Sequence, residues 1–127
     1  MLNLLPKIPD ASRWLLLGSL AVVTSNGFAQ DRSPGDLNDG ERREMMLAAS
    51  RYDACVFNKA MEMAADHEDI RRAADAALGA CGDKLDELRE VLAGFEVEES
   101  FIDGFSRSVQ SRATRKILPE LAIRKAR

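Results

Sequence analysis

Between residues 40 and 118, apolar side chains recur every three or four positions and charged side chains fill most of the gaps. That is the period of an α-helix with one buried face. Met45, Ala49, Tyr52, Val56, Ala60 and Met63 keep this spacing and predict a first helix from Gly40 to Ala65. Asp39 is its expected N-cap, and Glu41 and Glu44 place negative charge in or near the first turn. Asp66-His67-Glu68-Asp69 then reads as a tight turn in which Asp66 caps the next helix.

Ile70, Ala74, Ala77, Cys81, Leu85, Leu88, Leu92 and Phe95 predict a second helix from Glu68 to Ala93. Gly79 and Gly82 weaken it by up to about 1 kcal/mol each relative to alanine, and Gly94 is its expected stop. A third helix is expected from near Glu98, with Ile102, Phe105, Val109, Ala113 and Ile117 as its apolar stripe. Pro119 kinks or ends it, since proline lacks an N–H and crowds the preceding turn.

Outside this region the pattern changes. Residues 30–39 are polar, contain Pro34 and Gly35, and are expected to form a flexible lead-in. Residues 119–127 read as a short basic C-terminal tail. Residues 1–29 have the layout of a secretory signal: Lys7 and Arg13, an uncharged apolar core from Trp14 to Val23, then Gly27 and Ala29 as small residues before a cut. The apolar core is ten residues, about half of what a membrane-spanning helix needs. Cleavage after Ala29 is expected, with export to the periplasm or the exterior.

Removing 29 of the 127 residues leaves 98, one domain at most. The net charge moves from −3 to −4 as Lys7, Asp10 and Arg13 leave. A modestly negative domain argues against general nucleic-acid binding, which needs a basic face.

Both cysteines, Cys55 and Cys81, lie in the predicted helices. In an oxidising compartment an even count reads as a disulfide. Their midpoint is position 68, inside the predicted turn, so in an antiparallel helical hairpin they stand level, roughly 20 Å from the turn. The expected fold is therefore all-α: a disulfide-bridged antiparallel helical hairpin plus a third helix, over residues 40–118.

Candidate chemistry is sparse. His67 is the only histidine, it lies among carboxylates in the turn, and no second catalytic element accompanies it. Met61, Met63 and His67 raise a copper-site reading, because thioether and imidazole ligands suit that metal. Met63 and His67, four apart, would share a helical face, whereas Met61 and Met63 point apart. No C-x-x-C, phosphate loop, EF-hand or G-x-S-x-G is present.

Charge is segregated late in the chain. Residues 83–103 carry eight acids and two bases, net −6, and residues 104–127 carry seven bases and one acid, net +6. Either the two blocks face each other or the solvent, as exposed charge on helices ordinarily does, or Arg107, Arg112, Arg115 and Lys116 meet an anionic partner. The reading that follows is a non-enzymatic exported protein without a cofactor, of adaptor, inhibitor or immunity type. Its expected partner is another protein, with a membrane surface as a further candidate through the basic tail. A periplasmic copper carrier is the alternative.

Overall fold

The computed structural model describes residues 32–127, and these are helical throughout apart from short connections. The signal expected at residues 1–29 lies outside the described residues. Among the described residues, four α-helices are formed: α1 (Asp39–Met63), α2 (Ile70–Ala80), α3 (Gly82–Gly94) and α4 (Glu99–Ala126). None is long and apolar enough to cross a membrane.

Helix α1 begins one residue before the expected start, because the cap is Asn38 and not Asp39. The Asn38 side chain accepts the Glu41 N–H at 2.8 Å, and Glu41 accepts the Asn38 N–H at 3.1 Å. This reciprocal capping box satisfies two backbone donors that a helix start leaves open. Ala48, Ala49, Tyr52, Val56 and Ala60 form the buried face of α1.

The chain leaves the α-helix at Met63, makes a 3-10 turn over Ala64–Asp66 and becomes extended at His67. The cap of α2 is Asp69, which accepts the Arg71 N–H at 2.9 Å; Asp66 belongs to the 3-10 turn. Helix α2 buries only alanines, Ala73, Ala74 and Ala77, and small side chains let its backbone approach its neighbours closely.

The expected continuous second helix is interrupted at one residue. Cys81 separates α2 from α3 with φ −105° and ψ 15°, and its N–H bonds the carbonyls of Ala77 and Leu78 together. Gly79 and Gly82 flank the break, and glycine offers the helix least resistance to such an interruption.

Helix α3 buries Leu88 and Leu92. It ends at Gly94, but the left-handed residue that turns the chain is Glu96, with φ 60°. Val97, directly after it, is buried.

Helix α4 is longer than the pattern predicted. It passes through Pro119 to Ala126, so the expected basic tail is its last turns. Ile117 and Leu121 flank the proline and are both buried, which holds the helix together across the missing backbone hydrogen bond.

Residues 32–38 also differ from the expected flexible lead-in. Ser33 and Asp36 cap a 3-10 turn over Pro34–Asp36, Leu37 is buried, and the Arg32 N–H bonds the Glu96 carbonyl at 2.8 Å.

Helix α1 touches α2, α3 and α4, and α4 touches α2 and α3. Tyr52, Val56, Cys81, Leu88, Leu92, Val109, Ile117 and Leu121 fill the centre. Burying a side chain of leucine or valine size contributes about 1.5–3 kcal/mol. The disulfide joins Cys55 of α1 to Cys81 at the break, with Cα atoms 6.0 Å apart. Cys81 is fully buried, and Cys55 packs against the core from α1.

Candidate functional site

Helix α4 carries the most distinctive surface. Its buried stripe, Ile102, Ser106, Val109, Ala113, Ile117 and Leu121, advances by three or four residues. On a helix of 3.6 residues per turn, Arg107, Arg112 and Arg115 therefore point away from the core, and all three are exposed. None of them makes an ion pair among the described residues.

Lys116 stands at the edge of this face. Its Nζ lies 3.6 Å from Asp53 Oδ2 of α1, and its side chain is 70% exposed. Between them is a groove of about 380 Å³ lined by Asp53, Ala54, Phe57, Asn58, Lys116 and Glu120. Phe57 is 39% exposed there. At the far end of α4, Arg124 and Lys125 line a smaller cavity with Ala64 and Ala65, just beyond the C-terminus of α1. Cations at that position complement the negative end of the α1 dipole.

Three of the eight acids in the acidic block, Glu87, Glu99 and Asp103, are paired with its own two bases. Arg89 donates to Asp103 at 2.6 Å and to Glu99 at 3.2 Å, and Lys84 donates to Glu87 at 2.9 Å. The hydrogen bond to Asp103 holds the Arg89 guanidinium above its ordinary value, and the hydrogen bond to Glu87 does the same for the Lys84 ammonium. Among the described residues, no ion pair joins residues 83–103 to residues 104–127. The two charge blocks do not neutralise each other through contact.

The shared helical face expected of Met63 and His67 is not formed. Helix α1 ends at Met63, so Met63 and His67 do not share a helical face. Met61 is half-buried and packs against the core. Among the described residues, no group of three His, Cys, Asp or Glu side chains is arranged to hold a metal ion. Both cysteines are consumed in the disulfide, so the chain offers no thiol nucleophile.

Two features escaped the pattern. Asp53, the partner of Lys116, sits in a predicted helix with nothing in its spacing to mark it. Arg32 forms a bidentate pair with Glu41, at 2.7 and 2.9 Å. The Asn38-x-x-Glu41 spacing was the available signal for the acceptor; nothing local marks Arg32 as the donor.

The chain matches no protein-family model, no curated protein sequence and no solved structure.

Proposed function

We propose that this is an exported, non-enzymatic binding protein, of adaptor, inhibitor or immunity type, that meets an acidic surface of a partner protein through α4. The observation that carries this reading is the set of three exposed arginines, Arg107, Arg112 and Arg115, without an ion pair among the described residues. A protein surface is favoured over a bilayer because the apolar stripe of α4 is already buried in the core, which leaves Ile123 as its one exposed large apolar side chain beside the cations.

The fold reading that accompanies it is an antiparallel hairpin, with α1 as one arm, α2 and α3 as the other, and α4 packed across both. The disulfide at Cys55 and Cys81 supports that register. So does a groove that brings Glu44 and Arg51 of α1 together with Glu87 and Glu90 of α3. The disulfide also supports an oxidising compartment.

Affinity capture from the native compartment tests the binding reading. Wild-type protein recovers a partner, and Arg112→Glu with Arg115→Glu loses it. Recovery of the same proteins by both baits overturns the reading. Intact mass tests export: mature protein begins at Gln30, and a mass retaining Trp14 contradicts cleavage.

A further inference from the structure

The basic face of α4 has a counterpart elsewhere on the same molecule. The groove between α1 and α3 is open to solvent and about 500 Å³ in volume, with Glu44 and Arg51 on one wall, Glu87 and Glu90 on the other, and Val91 and Phe95 among its lining. Glu87 is taken by Lys84. Glu44 and Glu90 are exposed and make no ion pair among the described residues. The molecule thus presents one groove with two free carboxylates beside Arg51, acidic on balance, and one helix face with free guanidiniums.

We infer that the occupant of the α4 face is a second copy of this chain, whose α1–α3 groove receives Arg112 and Arg115. The inference rests on the reading of α4 as a binding surface and names its partner. A helix ridge enters a groove between helices in the same way that helices pack on each other. Arg112 and Arg115 are three residues apart, about 4.5 Å along the axis. Glu44 and Glu90 stand on walls whose axes are about 8–10 Å apart if packed ordinarily, so two long arginines on one ridge address both walls. Each guanidinium takes a carboxylate in a two-pronged bond, and the arginine stems lie along apolar lining such as Val91.

Donor face and acceptor groove are different patches, so the contact is head-to-tail. Such contacts continue into chains or close into rings, according to the rotation each adds.

Sedimentation equilibrium on the purified, disulfide-bonded protein tests this. At about 0.02 M salt the weight-average mass rises with concentration to at least twice the monomer mass. At about 1 M salt, where the screening length is about 3 Å, it returns to the monomer. Arg112→Glu with Arg115→Glu is monomeric, and so is Glu44→Arg with Glu90→Arg. All four positions are exposed, and an unchanged helical circular dichroism spectrum checks that both variants fold. Mixing the two variants restores association, because the reversed face fits the reversed groove. A wild type that stays monomeric at low salt overturns the inference. So does association that survives either reversal, or a mixture that stays monomeric. A monomeric wild type that still captures a partner through Arg112 and Arg115 defeats self-association and leaves the binding reading standing.

Discussion

Arg32 grips Glu41 with both terminal nitrogens of its guanidinium, Nη1 at 2.7 Å from Oε2 and Nη2 at 2.9 Å from Oε1. The same guanidinium donates to the carbonyls of Phe95 and Asp36, at 3.1 and 3.0 Å. One side chain therefore fastens the start of α1 to the loop between α3 and α4.

This contact makes stability depend on acid pH. The hydrogen bond from Arg32, with that from the Asn38 N–H, holds the Glu41 carboxyl at about 2, well below its ordinary 4.5. A group held lower in the folded state stabilises the fold above its unfolded value and loses that contribution as protons bind. The loss is expected between about pH 4.5 and pH 2. Urea unfolding across that range tests it. Glu41→Gln shows a shallower decline than wild type, and parallel declines contradict the assignment.

The disulfide closes a loop between positions 26 apart in sequence. In the chain-entropy model such a loop stabilises by about 3–4 kcal/mol, a large share of the 5–15 kcal/mol typical of a domain. Cys55→Ser with Cys81→Ser is expected to lose at least about 3 kcal/mol, more if the hydroxyl introduced at buried position 81 finds no partner. Denaturant unfolding without reductant measures it, and a loss below about 1 kcal/mol speaks against the bridge as the main clamp.

Pro119 sits inside α4 and cannot donate a backbone hydrogen bond to the carbonyl four residues back. It is exposed, so no packing is lost on replacing it. Pro119→Ala is expected to raise stability by up to about 3 kcal/mol. A lower urea midpoint in this variant contradicts that account of the helix.

Tyr52 is fully buried, and its hydroxyl has no hydrogen-bond partner among the described residues. Burial, aided by the charge of Asp53, pushes its phenol above the ordinary range. It is the only tyrosine, so absorbance at high pH reports it alone. Tyr52→Phe removes an unpaired polar group and is expected to be neutral or stabilising by about 1 kcal/mol. Ionisation of the native phenol near its ordinary value of 10.0, or a large loss in the phenylalanine variant, counts against this burial.

The helices with strong apolar stripes were legible in the chain, because burial of one face imposes a period that the sequence itself displays. Leu88, Leu92, Val109 and Ile117 all occupy the buried positions their spacing implied. The break at Cys81 was not legible: the apolar period runs through it without a phase change, and the two glycines suggested weakness without fixing a location. Pro119 misled in the opposite direction, since Leu121 beyond it supplies burial that offsets the missing bond. The packed segment at residues 32–38 was hidden because its contacts, Arg32 with Phe95 and Glu96, join positions far apart in the chain. The exposed arginines of α4 were visible as composition, but the lack of contact between the acidic and basic blocks required coordinates.

Because the bridging sulfur of Cys81 is attached where α2 gives way to α3, the staple anchors an elbow and not a shaft. Two levers pivot from it: α3 leads towards the Arg32 latch, and α2 leads back to the turn at Ala64–Asp66. Amide exchange is therefore expected to be slowest at Lys84 and Leu85, whose N–H groups bond the Cys81 carbonyl, and to quicken outward in both directions from that fixed point.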